Sequence, residues 1–526
     1  MPRQMASVLY RSTYVFLALP YVVFLIGWIR LPYSILLLTL LAIGCAAGLR
    51  GTAAIRQQTP EAGWVRRGEL ISILLPLVLV FVLCGVGGWG YQDRDWLRGN
   101  IVLRDLVAEP WPVVYETETG PLLLVYYSAF YLPAALLGKL LGWQVANHAL
   151  FLYGFIGLLL SALWVTTLTG IRRWWCVPVF LAFSGMDVIG ALARRAGEIV
   201  TGAPTQSWTN LEWWAGFGSI AYVSNLQLLT LTPNQAIPAW LVTALIVHDA
   251  REDRIAKTGF LYLGVASLWA PYVCIGLVPF VLALTLPDAR RGRVSALLSW
   301  GNAAGVLIGL TVVGYLGSRY WPYTMPIDVS KLYQEHLTLT LFRQGPIFLG
   351  VYPLFIALEF GILHVMLYSY IRIARTLVDP ALLRLLRVSS IVLCILPWIN
   401  LSWNNDIVMR ASIPMLFVTV LVAIRVLGDA YAETSVPGAW LQKGVVAVLM
   451  IGWLNAAWIA AYQVRGIRSQ GALIAVPDER QILSLFELQR SLYDGIGYNF
   501  VGQYIGSTKS PFSELLLAAR ERDAHP

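Results

Sequence analysis

What most constrains this chain is a series of apolar runs, each about as long as a bilayer is thick. A helix needs roughly 20 apolar residues to cross a hydrocarbon core of ~30 Å. Clear runs occupy 13–29, 31–49, 70–89, 145–169, 174–192, 296–316, 347–370 and 444–463. Shorter or interrupted runs occupy 122–141, 220–231, 235–248, 259–286, 388–401 and 412–427. In lipid, backbone polar groups find partners only within the segment or across a closed barrel, so runs of this length form helices. The expectation is an all-α, polytopic integral membrane protein with about 11–14 transmembrane helices. A transmembrane domain takes up 1–463 and an extracytoplasmic tail takes up 464–526.

Composition agrees. Hydrophobic residues are 58% of the chain and charged residues 13%, against about 45–50% and about 25% in soluble domains. No stretch before 464 is polar enough to form a soluble domain. The 21 Trp and 25 Tyr suit the two water–lipid interfaces, where amphipathic rings settle. The net charge of +9 is spread over loops and never concentrated on a soluble module, which excludes nucleic acid as a partner. Cys45, Cys84, Cys176, Cys274 and Cys394 lie in apolar runs without a CxxC pair and read as small core hydrophobes. Arg3 and Arg11 precede the first run and no small-residue cleavage site follows it, so it reads as a retained helix.

Orientation follows from Lys and Arg in the short loops. Arg50, Arg56, Arg66 and Arg67 fall in one loop, Arg172 and Arg173 in a second, and Arg251, Arg254 and Lys257 in a third. Arg290, Arg291 and Arg293, then Arg372, Arg375, Arg384 and Arg387, complete the set. These loops are expected in the cytoplasm. The first large extracytoplasmic loop is then 90–121, with six acids against three arginines. Loops 193–219, 317–346 and 402–411 share its side. Parity allows one crossing between 121 and 171, which helix 145–169 makes. The juxtamembrane segment 122–141, with Pro133, Gly138 and Lys139, must lie along the outer surface or form a re-entrant hairpin. Segment 259–286 runs from inside to inside and is expected as two short helices broken at Ala270–Pro271.

Three stretches carry candidate chemistry. In 91–120, Asp93 and Asp95 follow the run 70–89 at the membrane surface. On a helical wheel Trp96, Val102, Leu103, Leu106 and Val107 share one face, and Arg98, Asp105 and Glu109 the other. That pattern describes an interfacial helix, ended at Trp111–Pro112. A carboxylate at this height can meet a lipid-borne headgroup; local ion pairs with Arg94 or Arg98 are the alternative. In 229–246, Pro233 places Asn234 and Gln235 at the start of a helix, where free N–H groups favour an anion or Asn234 is a plain N-cap. In 398–417, Asn404, Asn405, Asp406 and Arg410 interrupt apolar sequence, where charge is costly and usually faces a cavity or a partner. Asp406 and Arg410, spaced i, i+4, can pair, or Arg410 can clamp a phosphate.

Gly-rich phosphate loops, HExxH and GxSxG are absent. His148, His248, His364 and His525 read as structural or solvent-facing, and His336 as a candidate acceptor contact.

Together the three stretches resemble the GT-C superfamily of polyprenyl-phosphate-dependent glycosyltransferases, most closely a bacterial membrane group of that type. The resemblance covers roughly 70–417. It rests on the order DRDWLRGNIVLRDL, PLLLVYYSAFYLPAALLGKLLG and WQVANHALFLYGF, and on NDIVMRASIP at 405–414, which fits the group's NDxxMRASIP. TPNQA departs from the group's PQHA, with Gln235 where a His is common. Lipid A aminoarabinose transferases and protein mannosyltransferases have a similar first outer loop with an acidic catalytic residue. The resemblance implies an inverting glycosyltransferase at the outer face of a bacterial inner membrane, its active site facing the periplasm. It would take sugar from a polyprenyl phosphate to a glycan, lipid or protein acceptor, amid membrane lipids. Asp95 is the expected general base, Asp93 a second catalytic acid, and Asp105, Asn234, Gln235, Asn405, Asp406 and Arg410 the donor- or acceptor-binding set. No metal ligands are identified; a divalent metal cofactor stays open. The rivals are a transporter or flippase of lipid-linked glycans and a glycan polymerase or ligase.

Overall fold

The computed structural model describes residues 3–50, 67–118, 120–202, 211–215, 220–290, 294–320, 337–340, 345–374, 378–401, 405–430, 435–494 and 500–518. His336, His525, Asn404, Arg56, Arg66, Arg291, Arg293 and Arg375 lie outside the described residues.

Eight helices among those residues are long and apolar enough to cross a membrane: Ser7–Trp28, Leu31–Leu49, Trp143–Thr169, Trp300–Gly317, Pro346–Ala374, Pro380–Trp398, Asp406–Leu427 and Val436–Gln470. Each overlaps a run named above. Their outward residues remain apolar, as with Leu310, Val365 and Ile391, each at least 60% exposed. A helix that is apolar both inside and outside needs lipid around it. The chain is therefore an all-α multi-pass membrane protein, and among the described residues its strands amount to three-residue or shorter pairings at loop ends.

Two expected spans are broken. The helix of run 70–89 is Arg67–Phe81. Beyond it Gly85, Gly87, Gly88 and Gly90 all take positive φ, which glycine adopts without a Cβ clash. At Gly87 a Cβ would stand 2.0 Å from Asn147 O, so the turn packs directly on the neighbouring helix. Run 174–192 divides into Cys176–Leu181 and Asp187–Thr201. The buried acid Asp187 makes a local polar contact with the Ser184 hydroxyl, 2.7 Å away, between the two pieces. The expected break in 259–286 is present, between Ile255–Ser267 and Pro271–Arg290. Segment 122–141 holds the strand Leu122–Leu124 and the helix Leu132–Leu141. At 1.5 Å per residue this helix rises about 15 Å, half a hydrocarbon core.

The cationic loops gather at one end of the bundle. Arg251 donates to Leu168 O at 2.8 Å and pairs with Asp379 at 2.6 Å. Arg425 donates to Thr169 O. Buried Asp249 collects Arg254, Tyr10, Tyr262 and Thr258, tying the first helix to two others there. At the opposite end the tail stitches loops together. Ile505–Ser507 pairs antiparallel with Leu122–Leu124, which pairs with Val114–Tyr115. Trp143 donates to Pro477 O, and Arg30 to Leu517 O.

Candidate functional site

The site lies at the tail-covered end and is built from the first outer loop upward. Asp93 caps helix Arg94–Ala108, its carboxylate accepting from Asp95 N at 3.0 Å. Trp96, Val102, Leu103 and Leu106 are buried, and the Trp96 indole donates to Thr230 O at 2.9 Å. The apolar face of this helix is thus seated on protein. One turn along, Arg98 comes within 3.4 Å of Asp95 and donates to the Tyr493 hydroxyl at 2.9 Å. Its guanidinium stands over the Phe500 ring.

Asp95 and Arg98 border a cavity of about 320 Å³. Asn234, Gln235, Asp406 and Arg410 line the same cavity, so residues from three stretches far apart in sequence converge. Helix Pro233–Arg251 begins at this cavity and ends among the cationic loops, so its first turn opens onto the site. Thr232 occupies the N-cap position without a side-chain cap bond. Asn234 therefore sits inside the first turn and is not the cap. Gln235 reaches the Tyr127 hydroxyl at 3.4 Å.

Arg410 meets both sequence expectations in part. It pairs with Asp406 at 3.0 Å, as the i, i+4 spacing predicts. It also donates to the Tyr127 hydroxyl at 3.2 Å and lies over the Tyr272 ring. Its Nε, buried, has no partner among the described residues. A planar guanidinium with one edge in an ion pair and an N–H to spare suits a phosphate oxygen.

The other expected site residues stand apart from this cavity. Asn405, at φ 47°, accepts from Leu401 N and donates to Ile399 O. It pins the start of helix Asp406–Leu427 to strand Ile399–Leu401. Asp105 is buried, bound by Arg104 and by the Tyr115 hydroxyl at 2.7 Å. The wheel placed it on the polar face; the structure turns it inward against Arg104, whose guanidinium also donates to the tail carbonyls of Ile482 and Leu483. Burial raises its carboxyl above the usual range, against the pull of Arg104. Asp93 faces a second cavity of about 260 Å³, with Trp458 and Tyr462 from the last long helix and Gln227. Asp95 and Trp213 line both cavities. Burial, then the charge of Asp95, pushes the Asp93 carboxyl up to about 6.

Several lining residues were not anticipated. Tyr126 and Tyr127 sit in the stretch read as interfacial, and Gln503 and Tyr504 in the tail. Tyr126 stacks on Tyr504 with centroids 4.8 Å apart. The available sequence cue was aromatic crowding, a YY pair at 126–127 and rings at 493, 500 and 504. Among the described residues, no group of three or more His, Cys, Asp and Glu is arranged to hold a metal ion. His364 bonds the Ser390 and Thr419 hydroxyls, and His148 accepts from the Trp89 indole. Set against family models, curated proteins and solved structures, the chain matches none of them.

Proposed function

We propose that the chain is a membrane glycosyltransferase with a GT-C-like fold, moving a sugar from a polyprenyl-phosphate donor to a hydroxyl of a glycan, lipid or protein acceptor. The observation that carries the reading is the convergence of Asp95, Asn234, Gln235 and Arg410 on one cavity. This pairs a carboxylate with a guanidinium and a helix start, which are the parts such a transfer needs. Asp95 takes the proton as the acceptor oxygen attacks the anomeric carbon. The bond from that carbon to the phosphate oxygen breaks, and the polyprenyl phosphate leaves with both electrons. Arg410, Arg98 and the first turn of helix Pro233–Arg251 receive its charge. The leaving group is already an anion, so no general acid is needed. Attack opposite the leaving group inverts the anomeric centre.

A transporter would line a path through the bilayer with polar groups. Beyond its first turn, helix Pro233–Arg251 is packed by buried Ile237, Trp240, Leu241, Val242, Leu245 and Ile246, which favours an enzyme at one end. The outer face of a bacterial inner membrane is the proposed location, on the strength of the cationic loops gathered at the far end.

The test is Asp95→Asn in the purified protein with a radiolabelled polyprenyl-phosphate sugar. Turnover is expected to fall by about 10²–10⁴-fold, the usual contribution of a general base, with donor binding kept. If Asp95→Asn and Asp93→Asn both turn over at the wild-type rate, this loop is not catalytic and the reading falls.

A further inference from the structure

Three buried acids lie outside the catalytic assignment. Asp187 starts helix Asp187–Thr201, Glu212 sits in the turn Leu211–Trp213, and Glu359 lies in the π-helical stretch Ala357–Gly361 within the span Pro346–Ala374. None exceeds 4% exposure. Glu359 packs against the turn that leads into Asp187: Met186 N donates to Leu358 O at 3.0 Å, and a Cβ on Gly185 would overlap Glu359 Oε2. Bare carboxylates gathered in a buried site repel, and sharing protons relieves that repulsion.

The described donors around the group are neutral. The Trp214 indole donates to Glu359 at 2.9 Å and the Ser184 hydroxyl to Asp187 at 2.7 Å. The Asn455 amide reaches Glu212 at 2.6 Å and Asp187 at 3.4 Å. Ser224 N donates to Glu212 at 3.1 Å. Three acceptor atoms, Asp187 Oδ1, Glu359 Oε2 and Asn455 Oδ1, are buried without a donor among the described residues. Asn455 is not an acid, so its orphaned oxygen is separate from the carboxyl pair, and it too asks for a proton donor. Carboxyl protons satisfy that demand. Among the described residues these acids are not arranged to hold a metal ion.

The group also has a place relative to the site. Glu212 and Trp214, both held by it, flank Trp213, which lines both cavities. We infer that Asp187, Glu212 and Glu359 form a proton-sharing carboxyl cluster that positions Trp213 as the wall between the two cavities. The bearing of Trp213 on polyprenyl-phosphate binding rests on the proposed transferase reading; the proton-sharing does not.

Among the described residues, few titratable or charged groups pack around the cluster. On helix Asp187–Thr201, Arg194 donates to Trp213 O and pairs with Glu198, as does Arg195. Tyr222 bonds Leu393 O. On the long last helix, Asn455 is neutral. Burial, then the charge of Asp187, pushes the Glu212 carboxyl up to about 8. A carboxyl whose folded value lies above its ordinary one loses its stabilising proton as pH rises, so stability falls between the ordinary carboxylate range and about 8.

The experiment uses full-length protein in detergent. Glutamine and asparagine keep the donor of a protonated acid and cannot ionise. The midpoint of thermal unfolding of the wild type is expected to drop as pH rises from about 5 to about 9, and the Glu212→Gln/Glu359→Gln double variant to show a flatter profile. A flat wild-type profile, or a double variant destabilised at every pH, overturns the cluster. In a second arm, the affinity for polyprenyl phosphate is measured. Glu359→Gln is expected to bind as the wild type does and Glu359→Ala about tenfold more weakly, the scale of one lost buried hydrogen bond. Equal loss in both variants overturns proton-sharing, because a charge and not a donor was then required. Equal wild-type affinity in both shows that the cluster does not position Trp213. If the wild type itself fails to bind polyprenyl phosphate, the transferase reading fails while the unfolding arm still decides the cluster.

Discussion

Arg410 is the residue where structural and functional roles are superimposed. Its bond to Asp406 is geometric fact; its spare Nε is what a phosphate would use. Arg410→Lys keeps the charge and loses the planar fork, so donor binding is expected to weaken about tenfold, the scale of a charge-assisted hydrogen bond. Equilibrium binding of a polyprenyl-phosphate sugar measures this. Unchanged affinity in Arg410→Ala would reduce the arginine to a partner for Asp406. Asp93 supplies a pH test. Its folded value of about 6 lies above its ordinary 3.8, so ionising it costs stability as pH rises through that interval. If its charge helps hold the acceptor, turnover climbs around pH 6, where the folded carboxyl ionises. Asp93→Asn is expected to remove that limb from the pH–rate profile, and a limb that persists unaltered assigns it to another group.

At the scale of elements, the misjudged runs show what hydropathy omits. The runs 70–89 and 174–192 are apolar enough to span, yet one ends in a glycine turn and the other parts around Asp187. Hydropathy averages over a window, whereas a positive-φ glycine or a buried acid acts at a single position. Close packing between elements is equally local. Gly264 of helix Ile255–Ser267 faces Gly305 of helix Trp300–Gly317, and a Cβ on Gly264 would stand 2.1 Å from Gly305 O. Small residues let membrane helices approach this closely. Gly264→Val is expected to destabilise by about 1–3 kcal/mol through overpacking, read from thermal unfolding in detergent. A wild-type midpoint in that variant would mean the two helices part at little cost.

For the whole molecule, sidedness joins the fold to the proposed role. Loops rich in arginine share one end and the cavity opens at the other, so Glu116 in the first outer loop is expected outside. A membrane-impermeant maleimide should label Glu116→Cys in intact cells; labelling only after permeabilisation reverses the topology. Six of the eight long spans were legible as clear apolar runs, the spans Pro380–Trp398 and Asp406–Leu427 only as shorter ones, and the polar interruptions at Asp95, Asn234 and Asp406 were legible too. Both follow from the cost of placing polar groups in hydrocarbon, which each residue carries wherever the chain goes. Tertiary structure alone decided that these interruptions share one cavity, that Asp105 and Asn405 turn away from it, and that Tyr504 of the tail closes it against Tyr126. Those outcomes depend on which distant surfaces meet, and contacts such as Arg98 with Tyr493 or Leu123 with Gly506 join residues nearly four hundred positions apart, beyond the reach of any local pattern.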